Sequence, residues 1–145
     1  MGIEKSASWV PFIGAWKLVS HEVAPPSGAA TRPYGDHPLG LIIYSWDGRM
    51  SAQLMDPDPP AFEDADPAKA ETAEAQRTWR SYVGYWGSFQ VNEEAATVTH
   101  HVDGCWFRNG IGQDLVRRYT FSGDRLILEA ETPFGLATLT WQRIQ

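Results

Sequence analysis

Residues 39–55 read LGLIIYSWDGRMSAQLM, two apolar runs joined by the dipeptide Asp47-Gly48. Asp-Gly between two such runs is a strong hairpin signal, because glycine readily takes the positive φ that a tight turn requires. Runs rich in aliphatic, β-branched and aromatic residues are typical of strands. This segment therefore predicts two antiparallel strands, residues 39–46 and 49–55.

Six further runs of the same kind flank this hairpin, at residues 14–23, 84–91, 96–103, 115–122, 125–131 and 136–143. Tight turns are also predicted at Glu93-Glu94 and Gly123-Asp124, whereas the connections 24–38, 104–114 and 132–135 are expected to be long loops. In an up-and-down meander, alternate connections fall at opposite ends of the sheet. We therefore expect an all-β fold, an eight-stranded antiparallel up-and-down barrel closed at the turn end and open at the loop end.

One helix is predicted between the third and fourth strands. Asp66 is a suitable N-cap, Pro67 occupies the first helical position, and an alanine-rich stretch continues to about Tyr82. The sequence shows no internal repeat and no domain linker, and its 145 residues suffice for one core. We interpret residues 1–145 as a single domain.

Composition excludes several classes of function. A formal net charge of −6 without a block of Lys or Arg argues against a nucleic-acid or polybasic membrane surface. The single Cys105 cannot form an intrachain disulfide, and the N-terminus lacks a secretory pattern, so we expect a cytoplasmic protein. Neighbouring residues on a strand point to opposite faces, so His100 and His101 cannot share a metal ion. We expect no metal and no cofactor, since no phosphate-binding glycine loop is present.

Strand alternation predicts which side chains face the barrel interior. With Val91 opposite Ala96, the inner face carries Tyr85, Gly87, Phe89, Val98, His100 and Val102. With Ser122 opposite Arg125, the inner face carries Leu115, Arg117, Tyr119, Phe121, Leu126, Leu128, Ala130, Ala137, Leu139, Trp141 and Arg143. For the hairpin 39–55 we favour Leu39, Leu41, Ile43, Met50, Ala52 and Leu54, with Ile42, Tyr44, Ser51 and Gln53 as the alternative inner face.

The first strand should complete both ends of the barrel. Trp16, Leu18, Ser20 and Glu22 share one parity, and closure sets Trp16 beside Arg143, where cation–π stacking would seal the floor. The same registers place Glu22 and Arg117 at one height near the open end, with Ala130 and Ala137 between them.

Several motifs resemble a known family. They are Gly14-Ala15-Trp16-Lys17-Leu18-Val19-Ser20, residues 38–51, residues 85–89, Val98-Thr99-His100-His101-Val102, Arg117-Arg118 and the terminal Arg143. Together they resemble the bacterial and fungal lipocalin-like domain proteins of the lipocalin or calycin superfamily, over nearly the whole chain. The resemblance implies a barrel with an internal cavity, and some lipocalin-fold proteins of biosynthetic pathways are cyclases, isomerases or decarboxylases.

The predicted inner face supplies the candidate site. His100, Arg117, Tyr85 and Glu22 are the candidate catalytic residues: His100 as an acid or base, and Arg117 as a clamp for an anion. A structural Arg117–Glu22 pair is the alternative for the arginine. The remaining candidate ligand-binding residues are Tyr119, Phe89, Met50, Leu54, Trp106 and Leu128.

Two functional hypotheses and a structural one follow. The first is a barrel that binds a small, largely apolar molecule carrying an anionic or polar group. The alternative is a cofactor-independent lyase, isomerase or cyclase, and the third is an interaction module whose barrel is filled by side chains. A small molecule is the expected partner, and Trp46 and Trp86, expected outside, would suit a homodimer surface.

Overall fold

Eight segments rich in aliphatic, β-branched and aromatic residues form strands that pair antiparallel in chain order, with β8 closing onto β1. The structure, a computed structural model, describes residues 8–145. The strands are β1 (Gly14–Ala24), β2 (Leu39–Tyr44), β3 (Arg49–Met55), β4 (Tyr82–Asn92), β5 (Thr97–Cys105), β6 (Asp114–Ser122), β7 (Arg125–Thr132) and β8 (Gly135–Arg143). The predicted eight-stranded up-and-down barrel is confirmed.

The insertion between β3 and β4 contains the predicted helix in two pieces. The Asp66 side chain accepts a hydrogen bond from the Ala68 backbone N–H at 3.0 Å and caps a short 3-10 segment, Pro67–Lys69. The α-helix α1 (Thr72–Arg80) starts separately after Glu71, which forms a capping box with Glu74. Among residues 8–145, no helix is long and apolar enough to cross a membrane.

The predicted floor of the barrel is confirmed. The Arg143 guanidinium lies 4.1 Å from the ring centroid of Trp16. Its Nη1 donates to the Ile13 carbonyl at 2.9 Å and its Nη2 to the Pro11 carbonyl at 2.5 Å. A 3-10 segment, Val10–Phe12, precedes β1 and inserts Phe12 into the barrel with no exposed surface. This aromatic plug was not predicted from the sequence.

The inner face predicted for β2 is wrong. Ser45 donates its backbone N–H to the Arg49 carbonyl at 2.9 Å, and Gly48 has φ 85°, so the turn has three loop residues. A loop of three residues instead of two shifts the pairing of β2 and β3 by one residue. The side chains of β2 that were predicted to face inward therefore face outward, and the others face inward. Ile42 and Tyr44 are therefore inside. Leu39, Leu41 and Ile43 face outward, whereas Met50, Ala52 and Leu54 are inside as predicted.

A β-bulge in β1 overturns the inward orientation predicted for Glu22. Leu18 pairs with Trp141, but Ser20 pairs with Thr140, so Val19 is an extra residue. A one-residue bulge reverses the faces of everything beyond it. The later positions His21 and Val23, paired with Leu139 and Ala137, consequently face inward, and Glu22 faces outward.

Two connections differ in length from those predicted. Val91 pairs with Val98 rather than Ala96, because the β4–β5 loop holds four residues instead of two. This shift by two keeps the predicted faces but places His100 opposite Phe89 instead of Gly87. Thr132 pairs with Gly135, so that connection is a two-residue turn and not a long loop. The Gly123-Asp124 turn is confirmed by the Ser122–Arg125 pair.

We predict that Arg143→Met lowers the free energy of unfolding by about 2 kcal/mol, because it removes the stacking on Trp16 and the bonds to two carbonyls. Urea denaturation measures the change. Arg125→Met is the matched control, since Arg125 is exposed and its side chain bonds to that of Gln142 at 3.1 Å on the barrel surface. Equal losses in the two variants would contradict the floor assignment.

Candidate functional site

The lower half of the barrel, toward the floor, is filled by side chains. The ring of Phe12 makes edge contacts with Tyr44, Tyr119 and Phe121 at centroid distances of 5.3, 4.9 and 5.0 Å. The predicted ligand-binding residues Phe89, Met50, Leu54 and Leu128 belong to this core, and Tyr119 packs against it. Leu54 pairs with Gly40 and Val83 near the open end, and Phe89 pairs with His100, so this core extends beyond the floor. Contact of these five residues with a ligand stays a prediction.

Above this core, His100 is held between two tyrosines. Its ring is 1% exposed. The Tyr44 hydroxyl lies 2.7 Å from its Nε2, and the Tyr85 hydroxyl lies 2.8 Å from its Nδ1. Three strands position the trio, since Tyr44 lies on β2, Tyr85 on β4 and His100 on β5. Both ring nitrogens are therefore paired inside the barrel.

Burial decides the charge state of this trio. Desolvation, with a smaller contribution from the positive charge of Arg117, lowers the pKa of His100 to about 3. Desolvation raises the pKa of Tyr85 to about 12, against a smaller opposing effect of Arg117. Burial also raises the pKa of Tyr44 well above its ordinary value. All three groups are neutral at neutral pH.

Arg117 is a partly buried cation on the inner face of β6. It belongs to the inward set because the exposed neighbours Val116 and Arg118 occupy the other face. Its charge acts on Tyr44, Tyr85 and His100, so it lies close to the trio. Its side chain donates to the Val116 carbonyl at 3.4 Å. Within the described part of the chain, Arg117 forms no ion pair with a carboxylate.

Glu22 does not join this group, which corrects the fourth candidate catalytic residue. Its carboxylate is on the outer face and pairs with Arg32 at 2.8 Å. The predicted Arg117–Glu22 pair is therefore wrong, because the bulge at Val19 turns Glu22 away from the interior. The arginine that does pair with Glu22 lies in the loop between β1 and β2.

The bulge brings His21 inside in place of Glu22, an orientation that was not predicted from the sequence. The His21 ring packs edge-on against Tyr34 at 5.2 Å. Its Nδ1 is buried without a hydrogen-bond partner among residues 8–145, and burial lowers its pKa. His21 adds a second neutral histidine to the inner wall, on the strand across the barrel from Tyr85 and His100. No three His, Cys, Asp or Glu side chains of the described chain are grouped as a metal site requires.

Tyr44 is the second residue that the sequence analysis did not assign to the site. It belongs to the alternative inner face of the hairpin 39–55, so choosing that face would have found it. Gly48 suits a three-residue turn that ends in a left-handed residue as well as a two-residue turn, so the sequence did not distinguish the two loop lengths.

Most of the tryptophans that could wall a pocket lie outside the barrel. Trp106, predicted to contact the ligand, packs against Trp79 at 6.0 Å between ring centroids. Both line a hollow of about 650 Å³ on the outer side of β4, between α1 and the loop that precedes it. Trp46 and Trp86 are 65% and 57% exposed. The homodimer that they would suit stays a prediction.

The neutral His100 makes stability depend on pH in a defined direction. Its pKa is lower in the folded protein than in the unfolded chain, so its contribution is complete above pH 6.5 and is lost as the pH falls toward 3. Between pH 7 and 4, we predict that the difference in unfolding free energy between the wild type and His100→Gln narrows by about 3 kcal/mol. Urea denaturation at several pH values measures this difference.

His101→Gln is the matched control for this prediction. His101 is exposed, and its hydrogen bond to Asp114 at 2.7 Å raises its pKa, which gives the opposite pH dependence. A difference between the wild type and His100→Gln that stays constant from pH 7 to pH 4 would contradict the neutral buried state.

Comparison with known proteins identifies a family. The sequence matches the family model described as a lipocalin-like domain over residues 13–144. Similar solved structures include the Echinococcus granulosus fatty-acid-binding protein 1, with 13% identity, a TM-score of 0.44, and coverage of 93% of this chain and 98% of that chain. A mutant of the fluorescent protein UnaG has 12% identity, a TM-score of 0.42, and coverage of 93% of this chain and 97% of that chain. No curated protein sequence is significantly similar to this chain. Since the family model spans the whole barrel, the chain belongs to the lipocalin-like domain family.

Proposed function

We propose that the barrel binds a small, largely apolar molecule through an anionic group held by Arg117. The observation that carries this proposal is the inward-facing guanidinium without a carboxylate partner in the described chain. Arginine keeps its charge at any accessible pH, and the one 3.4 Å hydrogen bond to the Val116 carbonyl leaves most of the five N–H groups of Arg117 available to an anion. A ligand carboxylate, sulfonate or enolate would supply that anion.

The surroundings of Arg117 suit the apolar remainder of such a molecule. Ala130 pairs with Ala137, and Ala137 pairs with Val23, so small side chains line the wall beside Arg117. On the other side, Arg117 pairs with Val98, and the next inward residue of β6, Leu115, pairs with His100. A few polar groups among apolar walls are the usual composition of a small-molecule site.

Binding is better supported than catalysis by proton transfer. A general acid or base works best when its pKa lies near the operating pH. The pKa of His100, about 3, and that of Tyr85, about 12, lie far from neutrality on opposite sides. Glu22, the remaining candidate base, is outside the barrel. We therefore place the lyase, isomerase or cyclase alternative second.

We predict that Arg117→Gln weakens the binding of 2-naphthoate by about tenfold or more, because one charge-assisted hydrogen-bonded contact is lost. The affinity for the uncharged isostere 2-naphthamide should change by less than about twofold, since that ligand never used the charge. Isothermal titration calorimetry on both probes measures the two effects.

Arg118→Gln is the matched control because Arg118 is the next residue along β6 and faces outward, 3.8 Å from Glu131. It should bind both probes as the wild type does. Equal losses of naphthoate affinity in the two variants, or no saturable binding of naphthoate to the wild type, would contradict the proposal.

A further inference from the structure

The hydrogen bonds of His100 have a direction that the burial of the trio determines. A neutral imidazole has one N–H and one bare nitrogen, so it donates one hydrogen bond and accepts one. Its two partners are both hydroxyls, at 2.7 and 2.8 Å. One tyrosine must therefore donate to His100, and the other must accept from it.

Tyr44 is the donor because it has nowhere else to place its proton. The side chain is 1% exposed and packed against the rings of Phe12 and Phe89, at centroid distances of 5.3 and 4.8 Å. Within residues 8–145, His100 is the partner of its hydroxyl group. If Tyr44 accepted from Nε2, its own O–H would be buried without an acceptor, which is strongly unfavourable. Donation to Nε2 satisfies Tyr44 and both ring nitrogens, and it leaves the Tyr85 O–H as the one proton of the trio without an acceptor among residues 8–145.

The direction then continues through the imidazole to Tyr85. With Nε2 bare, the proton of His100 is on Nδ1 and is donated to the Tyr85 hydroxyl oxygen. The Tyr85 proton is not used by His100. The Tyr85 residue keeps part of its surface exposed, whereas Tyr44 is 1% exposed, so of the two hydroxyls we infer that Tyr85 presents its O–H to a molecule entering the barrel. In this series of hydrogen bonds, the hydroxyl proton of Tyr85 is therefore the one that faces the proposed ligand.

We propose that Tyr44 and His100 are positioning residues that hold Tyr85 as an obligate hydrogen-bond donor, so that Tyr85 and Arg117 together select a ligand group with acceptor oxygens only. Carboxylates and enolates meet this requirement, whereas an ammonium group at the same position would be repelled by the Arg117 charge and would find the Tyr85 oxygen already accepting from His100. The selectivity step rests on the proposed function. The hydrogen-bond direction does not, because it is a property of the ligand-free protein.

The direction is tested by two-dimensional ¹H–¹⁵N NMR of the His100 ring in the ligand-free protein at pH 7. We expect a protonated Nδ1 and a bare Nε2 in the wild type and in Tyr82→Phe. The latter is the matched control, because Tyr82 is on the outer face of β4. In Tyr44→Phe, the bare Nε2 loses its donor, and we expect its ¹⁵N resonance to move downfield, because a hydrogen bond received by a bare imidazole nitrogen shifts that resonance upfield.

The selectivity is tested by calorimetry with 2-naphthoate and the cation 2-naphthylmethylammonium. We expect Tyr44→Phe to weaken naphthoate binding several-fold, Tyr85→Phe to weaken it at least as much, and Tyr82→Phe to leave it unchanged. A bare Nδ1 in the wild type, or a Tyr44→Phe variant with an unaltered Nε2 resonance and unaltered naphthoate affinity, would overturn the inference. A protonated Nδ1 in a protein that binds neither probe would refute the proposed function while leaving the hydrogen-bond direction established.

Discussion

Burial of His100 is the constraint on which the candidate site depends. A histidine with 1% exposure in an apolar barrel stays neutral, and a neutral imidazole must both donate and accept a hydrogen bond. Tyr44 and Tyr85 meet these two needs from two different strands. Because polar groups buried in the barrel have to be satisfied there, the trio also fixes the relative positions of β2, β4 and β5.

The floor and the candidate site differ in the contacts that their cations make. At the floor, Phe12, Trp16 and Arg143 close the structure with packed rings and a cation over an indole. Away from these contacts, the Arg117 guanidinium has no carboxylate partner in the described chain. The buried Nδ1 of His21 has no hydrogen-bond partner there. Stability is therefore concentrated at the floor. The buried Nε1 of Trp141, which pairs with Leu18 near the floor, also has no hydrogen-bond partner among residues 8–145.

The strands, and their faces wherever pairing is regular, could be predicted from the sequence. His100, Arg117 and Tyr85 were assigned inward from alternation alone, and the Trp16–Arg143 contact followed from barrel closure. The predicted faces were wrong where one extra residue breaks the alternation of a strand. These places are the bulge at Val19 in β1 and the β2–β3 turn, which has three residues instead of two. Neither leaves a distinct signal in sequence. Each exchanges a face, which removed Glu22 from the site and introduced Tyr44 and His21.

The most direct test of the central claim is a crystal structure of the protein with bound 2-naphthoate. The account predicts the carboxylate inside the barrel, within hydrogen-bonding distance of both the Arg117 guanidinium and the Tyr85 hydroxyl, with the naphthalene ring beside Ala130 and Ala137. Naphthoate bound only in the outer hollow against Trp79 and Trp106, with Arg117 and Tyr85 free of it, would contradict the claim.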